Sequence, residues 1–500
     1  MTDEAATVQA ARALLARGRA GEAVALTADA AARPDAPHPV LAVHARALKV
    51  GGRHREALEF DRRAVERWPD SHVAWHNYGA TLCDLGQPAE AQRAVERAFA
   101  LGADAPESWL LLARALHLLG DLDGSEHAFE ETLRRRPGFT DAAQELARLR
   151  WSRSQDSDAA TAHFAAAAEA GADLGPLLRA RAKMLESAGR REELLRFLHA
   201  ALHTRPEDVG LWLAASQANL EAGDAEAAAA LAGKAAQLAP RDPGPKVQLA
   251  SALLAQGRAE DALAEARGAL ELQPWRQDAL AWAATAARAA GDPLYRELYD
   301  YDAFVRAYDV ETPAGWSDRE QWLTDLAAEL QALHVHHVQP FDQSLRLGSQ
   351  TIDHLHKRQE PAVRSFFAAI DAPIRAYMQA VGPGDDPLRA RAGRDWDLAG
   401  SWSVRLRPGG WHADHFHSEG WLSSAFYVRT PDAALDSQDR QGWIRFGRPP
   451  SPTIPDLPAE HHVRPKPGRL VLFPSYMWHG TVPFTTDEPR LTIAFDVVPA

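Results

Sequence analysis

Glycine returns along the first three-fifths of this 500-residue chain at a fixed step. Gly18, Gly52, Gly86 and Gly120 stand 34 residues apart, and so do Gly189, Gly223, Gly257 and Gly291. The one longer step, Gly120 to Gly189, is 69 residues, two repeats with one residue inserted, and Ser154 stands where the missing glycine would be. A second series runs Pro34, Pro69, Pro137, Pro206, Pro240 and Pro274, at about the same step or its double, with Ala103 and Gly171 in the gaps. Self-similarity at this period is the mark of stacked supersecondary units and excludes a single closed core over that length.

Between the marks the pattern is helical. In ALEFDRRAVERWP, AQRAVERAFALG and ALAEARGALELQP apolar residues fall three and four positions apart, with few β-branched residues among them. Glycine lets the chain turn after a first helix, and proline stops the second. A lone helix hairpin cannot bury its apolar stripe, so neighbours stack into a solenoid. The opening AWHNYGATLCDLG, with Trp75 to Gly79, the small residues in REALEF and EDALAEA, and the closing proline resemble tetratricopeptide repeats. About nine such units fit residues 5 to 300. The resemblance implies an all-α solenoid over 1–300 that holds a protein or peptide in its groove. A surface that only packs on a neighbouring domain or a second copy is the competing reading.

Bulk properties narrow the partners. A formal charge of -13 argues against general binding to nucleic acid or to an anionic membrane. The single cysteine, Cys83, rules out an internal disulfide and a cysteine-based zinc site, and reads as a small buried helix residue. The start, MTDEAATVQAARALLARGRA, lacks the basic opening and apolar core of a secretory signal, and no apolar run reaches the roughly 20 residues that span a bilayer. A reduced, cytoplasmic setting without membrane contact is the expectation.

After Gly291 the period stops. DPLYRELYDYDAFVRAYDVETPAGW is aromatic-rich and reads as a connector into a second domain, residues 301–500. DREQWLTDLAAELQALHVHH and PAVRSFFAAIDAPIRAYMQAV read as helices. Beyond about residue 400, SWSVRLR and RLTIAFDVV alternate and GRLVLFP is a short apolar strand, with turns at PGG, TPDAA, GRPPSP and KPG. The whole is therefore α+β in two domains. Short strands with long loops suggest a jelly-roll or related barrel with flanking helices for the second.

Within that second domain, His412 to Glu419 gathers three histidines, one aspartate and one glutamate. His415 and His417 are two residues apart, so a strand presents both on one face. His479 ends a different strand in LVLFPSYMWHG. Two ligands at i and i+2, one distant histidine and open positions are the layout of a non-haem Fe(II) oxygenase site. The pair His412 and Asp414 competes for the same role and has the opposite parity, so one regular strand cannot aim both pairs at one metal. Arg490 opens RLTIAFDVV with Thr492 on its face, and a guanidinium beside a hydroxyl suits a carboxylate. A cosubstrate held there by one end and chelating a metal with the other is what 2-oxoglutarate offers.

The segments QSLRLGSQT (343–351), HFHSEGWLSSAFYV, GWIRFG, PGRLVLFPSYMWHGTVPF and EPRLTIAF resemble a bacterial family of 2-oxoglutarate- and Fe(II)-dependent oxygenases, often fused to tetratricopeptide repeats. The resemblance implies a double-stranded β-helix with His415, His417 and His479 as metal ligands, Asp414 with His412 being the alternative first pair. Arg490 and Thr492, helped by Tyr427, would bind the distal carboxylate of 2-oxoglutarate. Fe(II), 2-oxoglutarate and O2 are the implied cofactors, and hydroxylation with release of succinate and CO2 the implied reaction. The chain departs from the family at Ser418, at Ser423–Ser424 and at Leu347, where the family keeps glycine. Trp402, Trp411, Trp421 and Trp478 read as barrel core first and pocket wall second. His334, His336, His337, His461 and His462 read as non-ligands, and Gln343, Ser344 and Arg346 as either a substrate entrance or a packed loop. An oxygenase acting on a recruited protein, one acting on a small molecule, and a non-catalytic scaffold whose barrel binds a metal or ligand are the three functions this pattern admits.

Overall fold

The computed structural model describes residues 3–336, 338–341, 343–352, 354–393, 395–435, 438–486 and 488–500. The chain divides into two compact units, Met1–Leu149 with His163–Ala172, and Arg150–Ala162 with Asp173–Ala500.

The first unit is made of helix hairpins. Ala20–Ala32, His38–Val50, His54–Arg67, His72–Asp84, Pro88–Ala100, Pro106–Leu119 and Leu122–Arg135 follow one another with short turns. The glycine series explains itself at these turns: Gly18, Gly52, Gly86 and Gly120 all have φ between +68° and +81°, a region costly for any side chain. Proline acts two residues past the second helix, as at Arg67 before Pro69 and Arg135 before Pro137. Gly79 has a packing role instead. A Cβ there would sit 3.2 Å from Val95 and 3.3 Å from Ala91 O and Ala94, so its absence lets two helices approach. Cys83 is half-buried in its helix.

The second unit opens with the same motif. Its hairpin helices run from Leu174–Ser187 to Gln277–Ala290, and Gly189, Gly223, Gly257 and Gly291 repeat the left-handed turn. Where glycine is missing, the helix Thr140–Ser154 ends and Gln155, not Ser154, takes φ +55°. The inserted residue shifts the turn by one position.

The aromatic connector does more than connect. After two short helices, Leu294–Leu298 and Tyr301–Phe304, it supplies strand β1, Arg306–Asp309. The helix Arg319–Leu333 follows, then β2, Leu345–Gln350. The second helical stretch is split into Pro361–Ala369 and Asp371–Val381. Pro373 has no N–H to donate back to Ala369, and its ring crowds that carbonyl, so one continuous helix is broken there. The remaining strands are β3 Trp396–His412, β4 Leu422–Arg429, β5 Ile444–Phe446, β6 His461–Val463, β7 Arg469–Pro474, β8 His479–Thr481 and β9 Arg490–Pro499.

All pairings are antiparallel, in a six-stranded sheet of order β1-β7-β4-β9-β3-β2 and a three-stranded sheet of order β6-β5-β8. The segment after β3 joins the smaller sheet through a bridge between His415 and His479. Counted from β3, the eight strand segments divide between two sheets in the orders 1-8-3-6 and 2-7-4-5, which is the double Greek key of a jelly-roll.

One hydrophobic core runs from the last repeats into this barrel. Trp478 Nε1 donates to Thr285 Oγ1 at 2.8 Å, and its ring meets Trp282 at 5.2 Å. Arg288 donates to Gly447 O at 2.9 Å and pairs with Glu460 at 3.0 Å. Ile454 N donates to Leu254 O at 3.0 Å. Among the described residues no helix is long and apolar enough to cross a membrane.

Candidate metal centre

Backbone pairing builds the centre. His415 and His479 exchange N–H to carbonyl bonds at 2.9 Å in both directions, and His417 N donates to Ser475 O at 3.0 Å. Directly opposed residues put their side chains together, and the His415 and His479 rings lie 4.2 Å apart between centroids. His417 lies 5.2 Å from His415 and 5.0 Å from His479 on the same measure. One ring nitrogen from each of the three falls within 4.8 Å of the others.

Each imidazole is held from behind. Nδ1 of His415 meets Ala413 O at 2.8 Å, Nδ1 of His479 meets Met477 O at 2.9 Å, and Nδ1 of His417 meets Asp496 Oδ1 at 2.5 Å. Carbonyls and carboxylates only accept, so the proton on each ring sits on Nδ1 and the lone pair is left on Nε2. Nε2 of His417 and Nε2 of His415 face each other at 3.3 Å, where one divalent cation can take a lone pair from each. Burial, together with the neighbouring histidines, pushes His415 down to about 3 and His479 well below the usual imidazole range, so both stay neutral and able to bind metal.

Of the competing pair, Asp414 is engaged by an arginine and His412 lines the same cavity as the three histidines. Asp414 receives Arg445 Nε at 2.8 Å and Nη2 at 2.7 Å, a bidentate bond across to β5. His412 lies at the edge of the histidine group, 5.7 Å from His415 between ring centroids, and its Nδ1 meets Ser344 Oγ at 3.0 Å.

A cavity of about 450 Å³ opens on the three histidines and is also lined by His412, Trp402, Thr481, Arg490, Thr492 and Asp496. Arg490, Thr492, Ala494 and Asp496 are alternate residues of β9, so the strand period aims all four at it. Arg490 is buried and donates from Nη1 to Thr481 Oγ1 at 3.1 Å. Its Nε has no hydrogen-bond partner, nor does Tyr427 Oη, whose ring lies 5.1 Å from the guanidinium carbon. Burial pulls the Arg490 guanidinium below its usual range, and Arg490 makes no ion pair with a described residue. A buried guanidinium that lines the cavity with an unused Nε donor and no carboxylate partner suits an anion from outside the chain. The Thr492 hydroxyl donates to Val404 O at 3.4 Å, so Thr481 is the hydroxyl that Arg490 touches.

The other sequence candidates separate cleanly. Trp402 faces the cavity, 5.4 Å from His417, whereas Trp421 Nε1 is tied to Leu388 O and Trp478 to the last repeat. Trp411 is half-buried opposite Arg346 in β2. His334 bridges Ser349 and Ser403 at 2.9 and 3.1 Å, His461 stacks on Tyr301 at 5.2 Å, and His462 meets Arg440 at 2.8 Å. His336 is buried apart from the three-histidine group, and His337 lies outside the described residues. Gln343 and Ser344 line the cavity, while Arg346 turns back to Gln343 O and Leu345 O. Leu347, in the place where the resembled family has glycine, takes φ +55° at a bulge between β2 and β3. Sequence reasoning missed Asp496, Thr481 and Arg445. The first was readable, since it continues the even-numbered face that starts at Arg490.

Two sequence families match the chain: "Putative 2OG-Fe(II) oxygenase" over residues 400–496 and "Tetratricopeptide repeat" over residues 81–126. No curated protein matches. Among solved structures, the APC/C hetero-tetramer Cut9-Hcn1 is 16% identical over 56% of this chain, with a TM-score of 0.32, and the chain spans 55% of that one. A tetratricopeptide repeat protein from Parabacteroides merdae is 18% identical over 47% of this chain and 92% of its own, with a TM-score of 0.34. Yeast Tom70 is 14% identical over 53% and 57%, with a TM-score of 0.40.

Proposed function

We propose that this tetratricopeptide-repeat chain, with its 2OG-Fe(II) oxygenase segment, is a hydroxylase that uses Fe(II), 2-oxoglutarate and O2 on a protein or peptide brought to it by the repeats. One observation carries the reading. A single cavity joins three inward-facing Nε2 lone pairs to a buried arginine that has an unused donor. The first suits a divalent cation, and the second suits a carboxylate a short molecule away.

In this reading His415, His417 and His479 hold the metal, and their Nδ1 bonds fix the tautomer before it arrives. Arg490 holds the distal carboxylate of 2-oxoglutarate, with Tyr427 and Thr492 beside it. Asp414 is spoken for by Arg445, which weighs against it as a ligand. Iron with 2-oxoglutarate and O2 supplies C–H hydroxylation, one oxygen atom entering the product and the other succinate, with CO2 lost. The chain's part is to place these groups and to keep water from them: Trp402 and Phe416 wall the cavity on the histidine side.

We take residues 1–300 as the recruiting region and 301–500 as the catalytic one. A cavity of about 550 Å³ in the first unit is lined by Arg12, Arg46, Lys49, Asp61, Asn77 and Glu107, among others. Its acids are engaged, Asp61 by Thr81 and Glu107 by Arg136. Arg12 and Arg46, one repeat apart, and Lys49 make no ion pair with a described residue. Val50 and Val73 stand exposed beside them. This combination favours an acidic peptide with apolar side chains.

The test is succinate formation by the full chain, loaded anaerobically with Fe(II) and 2-oxoglutarate and then given air. Succinate from wild type and none from His479→Ala or Arg490→Ala supports the reading. Iron retained by wild type with no succinate in the presence of acidic peptide or without it refutes the enzyme.

A further inference from the structure

Three imidazole ligands bring no negative charge to a divalent cation, yet a buried carboxylate stands one hydrogen bond behind one of them. Asp496 is 5% exposed, and its Oδ1 accepts from His417 Nδ1 at 2.5 Å and from Ser423 Oγ at 2.7 Å. Ser423 Oγ lies 2.9 Å from Ser475 Oγ, and Ser475 O in turn receives the His417 backbone N–H. The carboxylate and the ring it touches are thus fixed by one small network. Gly420 leaves the room for it, since a Cβ there would lie 3.1 Å from Asp496 Cβ.

The two buried carboxylates near the centre differ in what balances them. Asp414 has a bidentate arginine. Asp496 has no arginine or lysine within ion-pair distance among the described residues, only His417. A carboxylate buried without a cation is costly. A metal on the far side of the same imidazole would supply the missing charge through one ring.

We propose that Asp496 is the positioning carboxylate of the three-histidine centre: it locks the His417 tautomer and lends the metal the negative charge its ligands lack. This rests on the reading above that the histidines bind a divalent metal. The carboxylate acts through His417 and not on the ion.

The probe is Co(II), titrated into the full chain against a chromophoric chelator. The proteins are wild type, Asp496→Asn, Asp496→Ala and, as control, Asp414→Asn, with the ligand-field spectrum and the metal-free melting curve recorded for each. Asparagine keeps the shape and an accepting oxygen but removes the charge. The expected result is a loss of affinity of about 10- to 100-fold in both Asp496 variants. An altered cobalt spectrum should accompany it, with metal-free melting not lowered in Asp496→Asn and affinity unchanged in Asp414→Asn. Asp496→Asn binding as tightly as wild type overturns the proposal, whatever Asp496→Ala does. So does a fall in metal-free melting with affinity intact, which would make Asp496 a purely structural residue. A wild type that takes up no cobalt overturns the metal reading, and this inference with it.

Discussion

Arg490 offers a prediction in which function and stability move in opposite directions. Its guanidinium is 3% exposed, has one protein hydrogen bond from Nη1 to Thr481, an unpartnered Nε, and no described carboxylate in ion-pair range. A buried cation without a counter-ion costs the fold several kcal/mol in desolvation, only partly returned by one hydrogen bond to a neutral hydroxyl and by the Tyr427 ring. Replacing it by methionine, of similar length and apolar, removes that cost. The expected gain in the metal-free, cosubstrate-free protein is about 1–3 kcal/mol, by analogy with buried charges replaced by apolar residues. The same change deletes the cation that would meet 2-oxoglutarate. Losing one partner of a buried charge-assisted pair costs about 2–5 kcal/mol of binding, roughly 30- to several-thousand-fold in affinity. The assay is thermal melting with and without saturating 2-oxoglutarate in the presence of Mn(II) as an inert metal. Wild type should melt lower than Arg490→Met without cosubstrate and gain on adding it, since a ligand that binds only the folded state stabilises it. Arg490→Met should start higher and gain nothing. If Arg490→Met melts lower than wild type and still responds to 2-oxoglutarate, the arginine is a structural residue and the assignment of the anion site fails.

Four further outcomes follow from single residues. Asp414→Asn should leave metal stoichiometry unchanged while lowering stability by about 1–3 kcal/mol, because the half-buried Arg445 loses its bidentate partner; metal titration and melting read the two separately. Gln155→Gly and Leu347→Gly should each raise the melting temperature, gaining about 1 kcal/mol, since both residues hold φ +55°, where a Cβ is strained. Acid should destabilise the second unit: burial holds His334 at about 3, below its unfolded value, so the unfolded state binds the extra proton. Stability is then full above the unfolded imidazole range and falls by about 1.4 kcal/mol per pH unit as pH drops from about 6.5 toward 3, and His334→Gln should flatten that slope in denaturant melts. Gly79→Leu should unfold the first unit's hairpin by forcing side-chain atoms into Val95, Ala91 and Ala94, read as lost helical circular dichroism at temperatures wild type survives.

The repeats were legible because the glycine period reports a backbone requirement that no neighbour can alter. Every glycine of that series stands at positive φ. Where the series is interrupted, Ser154 fills the sequence slot and Gln155 makes the turn, because an inserted residue lengthens the helix before it. The three histidines were legible for a similar reason, since i and i+2 on a strand share a face whatever surrounds them. Asp496 lay on a face already recognised at Arg490 and Thr492 and needed only two further steps of the same period. The fate of Asp414 was not readable, since its partner Arg445 is 31 residues away and meets it only when β5 closes the smaller sheet. The same holds for β5 and β6, which are three residues each and too short to show alternation. The connector shows no strand pattern because its apolar residues are aromatic and irregular, and β1 within it forms only by pairing with β7, more than 150 residues on.

The central claim is that one cavity binds a divalent iron and 2-oxoglutarate together, through His415, His417, His479 and Arg490. Anaerobic equilibrium dialysis of Fe(II) against the full chain, with and without 2-oxoglutarate, tests it most directly. Wild type should bind one iron per chain and hold it more tightly when 2-oxoglutarate is present, as linkage between two ligands of one site requires. His479→Ala should lose the iron, and Arg490→Met should keep it but lose the tightening. Iron binding that survives His479→Ala, or that ignores 2-oxoglutarate in wild type, would contradict the account.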